Sequence, residues 1–187
     1  MSIFTNPASS SAEDTRVYAA AILELLGTAD PLMVLRRTAS TLHRITQRLS
    51  EEQMSMLEAP GKWSIRHVLR HFADSDLVWA WRLRLVLAQN RPVITGYDQD
   101  AWAERLHYGE TPARESLEEF AAVRRGNLRL LDAASSDDFQ RCGAHAERGE
   151  ESVAHMMRLY AGHDLLHITQ IERIREATGS DRQARRG

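Results

Sequence analysis

Residues 160–170 read YAGHDLLHITQ, with His163 and His167 four apart in a stretch rich in leucine and isoleucine. On a helix that spacing puts both imidazoles on one face, one turn apart. The face extends both ways: Val153, Met156, Tyr160, His163, His167, Ile171 and Ile174 recur at steps of three or four. The histidines therefore take core positions. A buried polar group without partners costs roughly 1–3 kcal/mol, and two adjacent imidazoles bring four ring nitrogens among aliphatic neighbours. Two readings stay open. Either these are core histidines with ordinary hydrogen-bond partners, or they converge on one cation as half of a metal site.

A third ligand must come from another helix. His71 leads, with His67 one turn earlier as its competitor, and Asp74 shares their edge. The sequence holds a single cysteine, Cys142, so a Cys-rich zinc or iron–sulfur site is excluded and any metal needs histidine and carboxylate ligands. His155 falls off the stripe and reads as exposed; His43, His107 and His145 stand alone in polar surroundings and read as solvated. HDLLH also resembles the protease pattern H-E-x-x-H, but Asp164 is one methylene shorter than the glutamate and no peptide-binding sheet is evident. Asp164 reads better as a hydrogen-bond partner of a neighbouring side chain. Tyr160, one turn before His163, either offers its hydroxyl to a pocket or is simply a core ring. Asp74 either accepts from an imidazole N–H or pairs with Arg82 or another arginine.

The 187 residues suit one domain with a sizeable core. Hydrophobic residues make up 43% and charged residues 27%, and the net charge of −2 leaves no basic footprint for nucleic acid or an anionic membrane. No apolar run approaches the ~20 residues that span a bilayer; LVWAWRLRLVLA is broken by Arg82 and Arg84. The N-terminus lacks the order of a signal peptide, and one cysteine fits a reducing compartment. A cytoplasmic protein is the expectation.

The elements that must position these residues are helices. Residues 1–12 read as a loose arm and 180–187 as a tail, leaving a domain over 13–179. A first helix runs from about Glu13 to Leu26 and stops at Gly27. Asp30 and Pro31 open the next, SEEQ at 50–53 has capping-box spacing, and Ser64 opens a long helix ending before Arg91-Pro92. A connection over 91–111 holds a short helix near Ala101–Leu106 with Asp98 as cap. Thr111-Pro112 repeats the cap-then-proline signal, and a polar loop over 135–151 leads to Ser152 and the last helix. No segment alternates as a strand does, and RPVIT is too short to build a sheet on. Four long amphipathic helices plus one shorter N-terminal one predict an all-α helical bundle, with two long connections of the kind that often carry function. Trp63 and Trp102 read as packing anchors. Trp79 and Trp81, two apart on one helix, point in different directions, so at least one is exposed or sits in an interface.

Three separated segments, PGKWSIRHVLRHFADSD, RPVITGYDQDAWAERL and GHDLLHITQIERI, together resemble the DinB-like, YfiT-type bundle family in its DinB_2 branch, over roughly residues 20–177. The resemblance implies an up-down-down-up four-helix bundle with a metal in a pocket at one end. Matched motif to motif, it places the metal ligands on His71, His163 and His167, choosing His71 over His67. Three histidines leave coordination positions open, as in catalytic sites, and imidazole suits zinc or nickel. Some members are thiol-dependent transferases or isomerases. The function this implies is a divalent-metal-dependent enzyme using a low-molecular-weight thiol against a small electrophile, as a homodimer. The competing class is a non-enzymatic bundle that binds a metal or small ligand in a stress-related role.

Overall fold

The computed structural model describes residues 12–179, and most helices begin where the sequence places their caps. Asp30 accepts from the N–H groups of Leu32 and Met33 ahead of α2 (Pro31–Thr46), where the missing N–H of Pro31 costs nothing. Ser64 and Ser152 likewise cap α4 (Ile65–Ala88) and α8 (Val153–Ala177) through the N–H groups of His67 and His155. Ser50 and Gln53 close a capping box on α3 (Glu51–Ser55), and Asp98 caps α5 (Gln99–Arg105). α1 (Ala12–Leu26) ends at Gly27, whose φ of +54° is cheap only for glycine. The expected arm and tail lie outside the described residues, except Ala12, which opens α1.

Thr111 does not cap α6 (Ala113–Ala133). The N-cap is Pro112, which has no side-chain oxygen to offer. The Ala113 N–H is met instead by the Glu51 carboxylate, at 3.1 Å from the start of α3. Glu51 also pairs with Arg66 at 3.2 Å. A cap supplied from 62 residues away leaves no local pattern to read.

Side-chain pairings fix the helix directions. Phe72 meets Phe120, Asp76 meets Arg124 and Arg84 meets Asn127, so α4 and α6 run parallel. His71 meets His167 while Trp79 stacks on Tyr160, so α4 and α8 are antiparallel. Arg36 pairs with Asp132 near the end of α6, and Leu42 and Ile45 join Ala113 and Phe120 near its start, which makes α2 antiparallel to α6. The four long helices thus run up-down-down-up, with α1 laid against α8 as a fifth. Two apolar clusters fill the bundle. One joins Leu42, Ile65, Phe72, Phe120 and Ile171; the other joins Leu35, Trp79, Leu83, Val153 and Met156.

Arg124 is buried with contacts to every bundle helix. It donates to Asp76 on α4 at 2.8 and 2.9 Å, to Asp164 on α8 at 2.6 and 3.1 Å, and to the Leu35 carbonyl on α2 at 3.1 Å. Its guanidinium lies over the rings of Trp79 and Phe120. Breaking one partner of such a buried set costs about 3–5 kcal/mol.

The two long connections are not structureless. β1 (Val93–Ile94) pairs in parallel with β2 (Cys142–His145), which pairs antiparallel with β3 (Gly149–Ser152). α7 (Ser136–Gln140) precedes this hairpin. RPVIT therefore does enter a sheet, contrary to expectation. Two residues suffice because Ile94 buries its side chain against α4 and the ladder partners arrive from about 50 residues further on. Trp79 is fully buried, whereas Trp81 is 63% exposed beside exposed Leu77 and Val93. No single described helix is long and apolar enough to cross a membrane.

Candidate metal centre

His71 comes from the second turn of α4, and His163 and His167 come from the middle of α8. Because the two helices run antiparallel, the three rings converge inside the bundle. Ring centroids are 5.1 Å apart for His71 and His163, 4.7 Å for His71 and His167, and 4.4 Å for the α8 pair. One ring nitrogen from each lies within 4.8 Å of the others. The His71 and His163 Nε2 atoms are 3.0 Å apart. Two metal–nitrogen bonds of about 2.0–2.1 Å, at about 90–110°, separate their nitrogens by about 2.8–3.4 Å, so the spacing fits ligands of one ion.

The donor chemistry fits as well. Burial, reinforced by the neighbouring His167, holds His71 and His163 well below the ordinary imidazole range. His167 falls to about 4, because burial outweighs the opposing effects of Gln170 and Asp164. All three are neutral at neutral pH, as metal binding requires. His167 Nδ1 donates to Gln170 Oε1 at 2.7 Å, which leaves the lone pair on Nε2. His71 Nδ1 is buried and has no hydrogen-bond partner among the described residues; its ring faces Trp63 at 5.2 Å.

The other expected residues lie close by but do different work. His67 stays in the first turn of α4, with its Nδ1 2.8 Å from Ser64 Oγ and its ring stacked on Trp63, outside the triad. Asp74 pairs with Arg70, which also holds Glu119, so of its two readings the structure shows an arginine partner and no imidazole. Asp164 accepts from Thr38 Oγ1 and Arg124, both at 2.6 Å, and so braces the helix beside the triad. Tyr160 stacks on Trp79 at 4.7 Å, and its hydroxyl receives Arg82 Nη1 at 3.3 Å.

A cavity of about 70 Å³, open to solvent, adjoins His163, lined by Arg82, Tyr97, Arg148 and Tyr160 together with Ile22, Met156 and Leu159. Tyr18 on α1 completes the wall. α1 comes this close because residue 162 is glycine: a Cβ there would sit 2.1 Å from the Ile22 carbonyl oxygen. Burial raises the pKa of Tyr18, Tyr97 and Tyr160, which therefore keep their protons.

Sequence reading missed most of this wall. One signal was present. Arg82 stands three after Trp79 and four before Val86, a charge on the buried stripe of α4. His145 also corrects an expectation, being 3% exposed rather than solvated. It sits in β2, where its Nδ1 accepts from the Glu147 N–H at 3.2 Å. His155 is half-buried rather than exposed.

A bundle whose two antiparallel helices bring three imidazoles together, one of them lining a cavity, defines a class. The family model for the DinB superfamily matches residues 35–171, and the chain belongs to that superfamily. A relative from Oceanobacillus iheyensis is 33% identical over 123 residues, covering 66% of this chain and 71% of its own length. Another, from Halalkalibacterium halodurans, is 27% identical over 133 residues, covering 71% and 77%. Both carry the provisional name of metal-dependent hydrolase. Among solved structures, YfiT from Bacillus subtilis, described as a probable metal-dependent hydrolase with an unusual four-helix bundle topology, superposes with a TM-score of 0.74. It covers 94% of each chain at 22% identity, a likeness of fold.

Proposed function

We propose that the protein is a divalent-metal-dependent enzyme acting on a small molecule, with zinc or nickel held by His71, His163 and His167. The observation that carries this reading is the convergence of three neutral imidazoles where one of them, His163, lines a cavity. When bound, such an ion supplies Lewis acidity and lowers the pKa of a coordinated thiol or water.

The chain's own residues provide the rest. Gln170 holds His167 in the tautomer that presents Nε2. Asp164, gripped by Arg124 and Thr38, fixes the turn of α8 between the two ligands. Tyr160 accepts from Arg82, which leaves its own proton for a group in the cavity. The apolar wall formed by Ile22, Met156 and Leu159 limits water around the reacting groups.

The nucleophile we assign is a low-molecular-weight thiol attacking a small electrophile, by transfer or isomerisation. The names of the relatives favour a second reading in which water takes the thiol's place and the reaction is hydrolysis. A cytoplasmic location and a homodimer belong to the same proposal. The exposed Leu77, Trp81 and Val93 support the dimer, and sedimentation at micromolar concentration tests it, a monomer counting against.

The functional test begins with elemental analysis of protein purified without a tag. One equivalent of metal is expected in the wild type and none in His167→Ala. The loaded protein is then given electrophiles with and without thiols. Thiol-dependent turnover supports the first reading, and thiol-independent turnover the second. Bound metal with neither would make the protein a ligand-binding bundle, and no metal in the wild type would overturn both enzyme readings.

A further inference from the structure

Among the described residues two arginines expose less than a tenth of their surface, and they are treated very differently. Arg124 is 2% exposed and faces two carboxylates. Arg82 is 7% exposed and forms no ion pair among the described residues. Its Nη2 donates to the Thr95 carbonyl at 2.6 Å and its Nη1 to the Tyr160 hydroxyl at 3.3 Å. A guanidinium carries five N–H donors, of which these two contacts use two, and it lines the same cavity as His163. Leaving a buried charge without a counter-charge is expensive.

The rest of the cavity does not supply one. Arg148 is bound by both oxygens of Glu151, which cancels that pair. Of the remaining polar groups, Ser75, Tyr18, Tyr97 and Tyr160 carry neutral hydroxyls, Gln99 is a neutral amide, and His163 is the imidazole of the triad. The cavity lining thus holds one positive charge in excess, together with several hydroxyl groups. A planar, singly charged acceptor matches it, since guanidinium and carboxylate pair in a fork.

We propose that Arg82, with the hydroxyls around it, is the recognition site for a carboxylate, and that the protein's substrate is a small organic acid. Tyr160 links Arg82 to the triad: its ring centroid lies 6.2 Å from that of His163, and its hydroxyl touches Arg82. The acid is therefore short, with its carboxylate one aromatic ring away from the triad. The placement of the reacting end rests on the metal-centre reading; the carboxylate end does not. The carboxylate belongs either to the thiol or to its electrophilic partner.

The test uses fragments on metal-loaded wild-type protein, with binding followed by NMR. Propionate should bind about tenfold or more tightly than its neutral isostere propionamide, and more tightly than inorganic phosphate. Arg82→Met should abolish the advantage of propionate while leaving metal content unchanged, and Arg82→Lys should keep part of it. On cobalt-loaded protein, 3-mercaptopropionate giving a thiolate-to-metal absorption band while excluding propionate would assign the acid to the thiol. A neutral thiol and propionate binding together would assign it to the other reactant. Equal binding of propionate and propionamide to the wild type, which requires no variant to fold, overturns the proposal. So does phosphate binding as tightly as propionate. His167→Ala separates the two readings: loss of metal with retained, Arg82-dependent propionate binding leaves the carboxylate site standing by itself.

Discussion

Gln170 makes no claim on a reader of the sequence, yet it holds the Nδ1 proton of His167 and so decides which nitrogen faces the other two rings. Partners of this kind typically contribute 10- to 100-fold to metal affinity. Gln170→Leu should weaken metal binding by about that factor with the helical signal intact, as a competition titration against a chelator would read. His145 carries a prediction of a different sort. Burial first, then Arg148 and Arg82, depress its pKa to about 4, against the attraction of Glu151. The unfolded chain, with an ordinary imidazole near 6.5, binds the extra proton more readily than the fold does. Stability contributed by this residue is therefore present above pH 6.5 and lost as pH falls towards 4. The urea midpoint of His145→Gln should fall less steeply across that window than the wild type's; parallel curves would count against it. At this scale the α8 histidine pair was legible because a four-residue step is a helical period, while choosing His71 over His67 needed the family resemblance. Arg82, Tyr18 and Tyr97 escaped because a wall gathered from three elements has no local spacing.

Helix starts were legible at Asp30, Ser50, Ser64 and Ser152, where the cap lies within three residues of the N–H it serves, but not at Ser135, whose capping box opens the short α7 inside what reads as a polar loop. They were not legible where the partner is remote, as with Glu51 and α6. The sheet escaped for the same reason. A two-residue strand has no periodicity, and β1 exists only because β2 lies beside it. The contact between α1 and α8 is the most sensitive joint between elements. Gly162→Ala would drive a methyl group into the Ile22 carbonyl, so α1 must move or the substitution must be refused. A loss of about 1–3 kcal/mol is expected, with faster amide exchange along α1 than in the wild type. Unchanged exchange would show that α1 adapts without leaving its seat.

Across the whole molecule, the four apolar helix faces do most of the stabilising, and coordination adds only what mass action gives it. Removing metal with a chelator should leave the helical circular dichroism nearly unchanged and lower Tm modestly, by an amount that follows the free metal concentration. Outright unfolding would make the centre structural and remove the main support for an enzyme. Up-down-down-up order came from the resemblance; the structure shows what holds its register, since Arg124 on α6 reaches the other three bundle helices. The family match spans residues 35–171, which contains the triad and Arg82 but stops short of α1. Yet α1, resting on the bare backbone at Gly162, supplies Tyr18, Ala19 and Ile22 to the cavity. One flank of the cavity is thus contributed from outside the matched region, against the bundle that carries the histidine triad. Grafting residues 12–26 from one relative onto another should transplant preference for ligand shape while cation affinity stays with the recipient.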